Sequence, residues 1–316
     1  MLKKKLSIIL SFYNEELNIK NSVEKLTNVL EKINEIDYEI IYVNDCSTDN
    51  SLQILKEENK KNSKIKIINL SRRFGHMPGI MAGLKNCDGD AAIYIDIDLQ
   101  DPPELIKEMV HYWLDEKYDV VFTTRKKRKE SLVMNILNKI GYSILKRTAY
   151  INITKNSGDF RLISRRVINE YVKFNELNPF FRFLVDFIGF KKKQIFYDRE
   201  IREYGKSNFK LLKIFLQFFE ISLAPFSDAP IRFALIFGLL SFFVCFIILI
   251  RTALLYFSGT LEISSTSIFG AILLFGGLQS LIIGLMAIYI GLIFRQTRNR
   301  PLYIVDEKIG FEKKQD

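Results

Sequence analysis

Two long runs without a charged residue, 233–250 and 268–294, constrain this chain more than any other feature. As helices, each is long enough to cross a hydrocarbon layer of ~30 Å. Both lie near the C-terminus, so neither is a signal peptide. The N-terminus, MLKKKLSIIL, has a charged start but only a short apolar run without a cleavage site, and reads as a first strand. The segment between the runs, SGTLEISSTS (258–267), carries Glu262 as its single charge, whereas Arg232 precedes the first run and Arg295, Arg298 and Arg300 follow the second. The excess of basic residues at the outer flanks predicts a hairpin with both termini on the cytoplasmic side of an inner membrane. Arg251, at the far end of the first run, opposes that trend but can snorkel. Just upstream, residues 209–226 are aromatic and aliphatic, with Lys210, Lys213 and Glu220 between them. That composition suits a helix lying in the membrane interface.

The first 230 residues have a different character, with apolar runs of strand length separated by amphipathic stretches. Strands are expected at 6–11, 38–43, 65–70, 91–96 and 118–123, with an edge strand at 193–197. A helical pattern follows the first strand to about Ile33, Ser47 or Asp49 can cap the next helix, and a short helix is expected over 78–85. Such alternation predicts a mainly parallel α/β sheet with helices on both faces. In those sheets ligands bind beyond the carboxyl ends of the strands, and Tyr13, Glu15, Asp45, Asp96 and Asp98 all fall there. The expected division is a catalytic domain over 1–206, an amphipathic juxtamembrane segment over 207–230, a transmembrane hairpin over 231–294 (about 233–257 and 268–294) and a basic tail over 295–316.

The fourth strand runs into the most suggestive stretch, DIDLQDPPE (96–104). Pro102 and Pro103 forbid further strand and suit the first turn of a helix. Carboxylates at i and i+2 leaving a strand can converge on one divalent cation, and an all-oxygen set favours Mg²⁺ or Mn²⁺. Other metal chemistry is poorly served, because His76 and His111 have no ligand-like spacing. Cys46, Cys87 and Cys245 form no C-x-x-C and read as reduced thiols. The net charge of +10 is accounted for by a membrane surface, and no aromatic-rich nucleic-acid motif accompanies it, so a nucleic-acid partner is not expected.

Taken in order, SFYNEE (11–16), VNDCSTD (43–49), SRRFGHMPGIMAGL (71–84), DIDLQDPPE (96–104), TRKKR (124–128), GDFRLISRR (158–166) and REYGKSNF (202–209) resemble the family-2 glycosyltransferases that use a polyprenyl phosphate as acceptor. That group includes dolichyl-phosphate mannose synthases, bactoprenol glucosyltransferases and undecaprenyl-phosphate aminoarabinose transferases, and the resemblance covers essentially the whole chain. It implies a Rossmann-like GT-A catalytic domain, a nucleotide-sugar donor (a UDP-sugar in preference to a GDP-sugar, with the base left open), a polyprenyl phosphate acceptor and a homo-oligomer. It implies that Ser11, Tyr13, Glu15, Val43 and Asp45 hold the nucleotide's base and ribose, and that Asp96, Asp98 and Gln100 form the metal and diphosphate shelf. Arg125, Arg202 and Ser207 would grip the donor phosphates, and Arg128, Arg161, Lys206 and Lys210 the acceptor phosphate. Asp159 matches the acid beside the reacting centre. Since a phosphate monoester is already largely ionised at neutral pH, Asp159 is expected to orient, with Arg161 as its partner, more than to remove a proton.

The chain departs from that pattern at Ser11 (usually Pro), Asn44 (often Asp), Cys46 (usually Gly), Thr124 (commonly Gly) and Asn208 (often Lys). These changes leave the reaction class intact and the donor sugar open. Two other readings fit the sequence less well. A processive polysaccharide synthase would need more spans and a Q-x-x-R-W motif, which Trp113, the single tryptophan, does not supply. A scaffold that has lost catalysis would not be expected to keep Asp96, Asp98, Gln100, Asp159 and Arg202 together.

Overall fold

The structure, a computed structural model, describes residues 3–125, 143, 157–174, 176, 181–197, 229–259 and 265–312. They fall in two compact units, one containing the sheet and the other the two long apolar helices.

In the first unit the apolar runs form the strands. Strand β1 (Lys4–Phe12) lies at the centre, paired in parallel with β2 (Ile36–Asn44) on one side and β4 (Ala91–Tyr94) on the other. Strand β3 (Ile65–Leu70) extends the sheet beyond β2. Helix α1 (Glu16–Leu30) buries Ile19, Val23, Leu26 and Leu30, the stripe expected of a helix packed against a sheet. Helix α2 (Ser51–Lys61) and helix α3 (His76–Asn86) complete the next two crossovers, and α4 (Leu105–Leu114) begins two residues after the expected Pro102-Pro103 break. The core they enclose includes Leu6, Ile8, Leu10, Ile40, Tyr42, Ile67, Ile93, Met109 and Trp113.

Three features differ from the sequence expectation. Strand β5 (Val120–Arg125) starts two residues later than expected, because Asp119 turns inward to accept hydrogen bonds from Ser164 Oγ and the Arg166 guanidinium. Residues Ser157–Ser164, not assigned as a strand, form β6 and insert antiparallel between β4 and β5. The chain continues through α5 (Arg165–Tyr171) and α6 (Phe181–Ile188) to β7 (Lys192–Tyr197), the expected edge strand, paired in parallel with β5.

The third difference lies after the membrane-length helices. Helices α7 (Ala229–Phe257) and α8 (Ser265–Thr297) contain the expected runs, with spans of mean hydropathy 2.6 and 2.2 that are not buried within the chain. The following segment is no free tail. It forms β8 (Val305–Ile309), antiparallel to β3, and completes the sheet order β7-β5-β6-β4-β1-β2-β3-β8.

Candidate active site

The carboxyl ends of β1, β2, β3 and β4 open onto a common set of loops. Each loop holds one residue with positive φ: Asn14 (54°), Cys46 (57°), Gly75 (104°) and Leu99 (46°). Such sharp reversals let consecutive loops turn back over the strand ends, and they collect where a site demands a particular backbone path. Between the loops lies a cleft of about 220 Å³ lined by Ser11, Phe12, Tyr13, Glu15, Asp45, Arg73, Gly75, His76, Asp96, Ile97 and Asp98. Six of the residues expected at a donor and metal site therefore share one cavity: Ser11, Tyr13, Glu15, Asp45, Asp96 and Asp98.

Asp45 shapes this cavity. Its two carboxylate oxygens accept hydrogen bonds from the backbone N–H groups of Phe74 (2.7 Å) and Gly75 (2.9 Å), pinning the loop that carries Arg73. The Arg73 guanidinium lies 4.0 Å from the Tyr13 ring centroid, so loops from β1 and β3 meet across the cleft. Glu15 accepts from Asn18 Nδ2 at 2.6 Å. The buried Ser11 Oγ has no hydrogen-bond partner among the described residues. Val43 is buried beneath the site and does not line the cavity.

On the acidic side, Tyr94 is buried and its hydroxyl donates to Asp96 Oδ1 at 2.7 Å, with His76 Nε2 2.8 Å from the same hydroxyl. Burial pushes the Asp96 carboxyl above its ordinary range; Tyr94 and His76 oppose the rise, and the charges of Asp159 and Asp98 add to it. The β4–β6 register explains how Asp159 reaches this place. Tyr94 stands opposite Arg161 in the antiparallel ladder, so two residues further along lie Asp96 on one strand and Asp159 on the other. Asp159 is held by Arg182, whose Nε and terminal nitrogen each lie 3.2 Å from one carboxylate oxygen. Gln100 is half-buried, with its backbone N–H 3.4 Å from Asp98 Oδ1. Asp101 is buried and accepts from the Tyr197 hydroxyl, which ties the acidic loop to β7.

Arg161, expected at the acceptor phosphate, is instead only 1% exposed and donates to the Gly158 carbonyl at 2.7 Å. Burial pulls its guanidinium down to about 10, against the charges of Asp159 and Asp186. It stays cationic at neutral pH and supports the site from beneath. The Arg125 side chain, Arg128, Arg202, Lys206, Ser207, Lys210 and the whole 209–226 segment lie outside the described residues. Arg73, His76, Tyr94 and Arg182 received no individual role from the sequence. The first two sit in the quoted stretch SRRFGHMPGIMAGL, so a signal existed; Arg182 had none.

The acids fit a hard divalent cation through the chemistry of their donors. Oxygen is the ligand throughout, and mutual repulsion among Asp96, Asp98 and Asp159 is relieved by positive charge. Among the described residues no three of His, Cys, Asp and Glu are grouped to hold an ion on their own. In the usual Mg²⁺ arrangement one or two carboxylates share the ion with substrate phosphates and water.

A mainly parallel sheet with an antiparallel insertion, an acidic cleft at the strand ends and Asp159 brought in by the inserted strand define a GT-A glycosyltransferase domain. Residues 7–172 match glycosyl transferase family 2, and the chain belongs to that family. The uncharacterized glycosyltransferase YkcC of Bacillus subtilis is 38% identical, across 98% of this chain and 95% of that one. The undecaprenyl-phosphate 4-deoxy-4-formamido-L-arabinose transferase of Proteus mirabilis is 30% identical, also across 98% and 95%. Among solved structures, a mannosyltransferase from Pyrobaculum calidifontis in complex with GDP-Man and Mn²⁺ aligns over 65% of this chain and 59% of that one, at 13% identity and a TM-score of 0.46.

Proposed function

We propose that this protein moves a sugar from a nucleotide-sugar, a UDP-sugar in preference to a GDP-sugar, onto the phosphate of a polyprenyl phosphate such as undecaprenyl phosphate. The observation carrying this reading is that Asp96 and Asp98 line one cleft with Ser11, Tyr13, Glu15 and Asp45, while the charge of Asp159 on the neighbouring strand acts on Asp96. The full-length similarity to an undecaprenyl-phosphate transferase supports the lipid acceptor.

In the reaction, an acceptor phosphate oxygen attacks the anomeric carbon from the face opposite the leaving group. The new C–O bond forms as the bond to the nucleoside diphosphate breaks, with inversion. An ionised phosphate needs no proton removed at neutral pH, so the protein's task is alignment and exclusion of water. Ser11, Tyr13, Glu15 and Asp45 would seat the nucleotide, while Asp96, Asp98 and Gln100 would hold a divalent cation. When bound there, that cation supplies positive charge to the departing diphosphate. Asp159, fixed by Arg182 and underlain by Arg161, would orient the reacting groups. Arg125, Arg202 and Ser207 are assigned to the donor phosphates, and Arg128, Lys206 and Lys210 to the acceptor phosphate, where guanidinium forks and ammonium groups suit phosphate oxygens.

Helices α7 and α8 are assigned to an inner membrane as a multi-pass hairpin. The return of the chain to β8 supports this topology: a chain that begins and ends in one sheet must recross any bilayer it has crossed. The catalytic domain and both termini would then be cytoplasmic, and 209–226 would lie at the headgroups.

The test uses purified full-length protein in lipid nanodiscs with Mg²⁺ or Mn²⁺ and a panel of UDP- and GDP-sugars. Nucleoside diphosphate release that depends on undecaprenyl phosphate is the expected result. Release that is equal with and without the lipid phosphate would reject the acceptor, and full turnover in excess chelator would reject the metal.

A further inference from the structure

We propose that β8, the strand reached only after the second apolar helix, is a positioning element of the donor cleft. This rests on the nucleotide-sugar reading above. Strand β8 lies outside the 7–172 family match, at an edge of the sheet, yet two independent connections lead from it to cleft residues.

The first is a backbone bond. Ser71 N–H donates to the Ile304 carbonyl at 3.0 Å, at the base of the loop that brings Arg73, Gly75 and His76 to the cleft. The second runs through side chains along the carboxyl ends of β3, β2 and β1. Asn69 Nδ2 donates to Asp306 Oδ2 (3.1 Å), Asn44 Nδ2 to Asn69 Oδ1 (2.8 Å), and Ser47 N–H to Asn44 Oδ1 (3.1 Å). Asn14 N–H then donates to Ser47 Oγ (2.9 Å), and Thr48 N–H donates back to Asn14 Oδ1 (2.8 Å). Asn14 stands between Tyr13 and Glu15, both of which line the cleft.

The direction of this relay is dictated from its cleft end. The Ser47 N–H can be met only by an acceptor, so the Asn44 amide must present its oxygen there and its nitrogen to Asn69. Asn69 must then present its oxygen to Asn44 and its nitrogen outward, where Asp306 supplies the matching acceptor. An amide is therefore required at position 44. A carboxylate there would face the Asn69 oxygen, and turning the Asn69 amide over would set that oxygen against Asp306. Lys56 and Glu307 (2.7 Å) and Lys308 and Asn86 (2.6 Å) tie β8 to α2 and α3 outside the relay, so the strand's attachment and its connection to the cleft can be separated by mutation.

The experiment measures binding of UDP and GDP, each with Mn²⁺, to the full-length protein in nanodiscs by calorimetry, together with donor KM and kcat. Asp306→Ala is expected to weaken UDP binding and raise donor KM about fivefold, in the range of one lost hydrogen bond, with kcat nearly unchanged. Asp306→Asn keeps an acceptor for Asn69 and is expected to restore wild-type affinity. Glu307→Gln loosens the strand without touching the relay and is expected to bind UDP normally. In the wild type, UDP should slow amide hydrogen exchange at Ser71 and across Val305–Ile309 along with 44–48; this holds the proposal to account even if Asp306→Ala does not fold. Unchanged exchange in β8, or equal UDP affinity in wild type and Asp306→Ala, would overturn the proposal while leaving the donor reading intact. If the wild type binds neither nucleotide, the donor reading fails and this inference with it.

Discussion

Tyr94 shows how single residues acquire their roles in this site. Its phenol is 1% exposed and bridges His76 and Asp96, so one oxygen of Asp96 is already committed and the other is free to turn toward the cleft. Asp98 lines the same cleft, and on the proposed reading it is a principal metal ligand. Asp98→Ala is expected to lower turnover by about 10²–10³-fold with the fold intact, as for loss of a principal electrostatic group. Circular dichroism and a Mn²⁺ titration would check the two halves of that statement. Asp159 forms a two-point ion pair with Arg182, an arrangement that fixes the direction of its carboxylate. Asp159→Asn is expected to cost about 10²-fold in kcat at every pH; recovery of full rate at high pH would identify Asp159 as a general base. Far from the cleft, buried Glu39 receives Lys5 (2.9 Å), Lys66 (2.7 Å), Ser7 Oγ (2.6 Å) and the Asp88 N–H (2.8 Å). Burial alone would raise its carboxyl, but these partners prevail and hold it at about 2. A depressed carboxyl stabilises the fold above its unfolded value of 4.5, and this contribution disappears as pH falls from there through about 2. Glu39→Gln is therefore expected to cost about 3 kcal/mol at neutral pH. Thermal melting should show the gap between variant and wild type closing below about pH 4.

Among whole elements, α3 and its preceding loop carry the tightest constraints. A Cβ on Gly79 would lie 2.0 Å from Ser11 Oγ and 2.9 Å from Ser11 Cβ, so the first turn of α3 is pressed directly onto the end of β1. Gly75 has open space around it but φ of 104°, a conformation that L residues rarely adopt. The two glycines should therefore fail differently. Gly79→Ala should displace Ser11 and abolish nucleotide binding. Gly75→Ala should cost about 1–3 kcal/mol of backbone strain and weaken binding only as far as Arg73 and His76 shift. Thermal melting and UDP titration of both variants would separate the two effects. The parallel half of the sheet was legible because apolar runs followed by polar loops recur at βα spacing. Strand β6 was not, because Arg161 interrupts its apolar run and its partners β4 and β5 are remote in sequence or separated by a long segment. Strand β8 was not legible either: VDEKI is three-fifths charged and reads as tail, and only the ladder to β3 makes it a strand. The site shows the same division. Ser11, Tyr13, Glu15, Asp45, Asp96 and Asp98 announced themselves at strand ends, whereas Tyr94 sits inside a strand and Arg182 on a helix with no motif around it.

For the molecule as a whole, the apolar helices and the sheet pose a delivery problem that the chain's path addresses. A polyprenyl phosphate cannot leave the bilayer, since each CH₂ drawn into water costs about 0.8 kcal/mol. On the proposed reading the active site would be held at the headgroups by α7 and α8. Because β8 follows α8, cutting the chain at Arg232 removes the spans and an edge of the sheet together, so that truncation cannot isolate the role of the membrane. A cleaner comparison replaces residues 229–299 with a flexible Gly/Ser linker, retaining Lys210 and β8. This shortened chain is expected to bind UDP with nearly full affinity, whereas the chain ending before Arg232 should bind it less well. Transfer by the linked form to a short, soluble prenyl phosphate should survive, while transfer to undecaprenyl phosphate in vesicles should fall at least about tenfold further, the least effect expected once a two-dimensional encounter becomes a three-dimensional one. If both acceptors lose equally, the helices act in folding or assembly, and residues 1–208 do not depend on them for meeting the lipid.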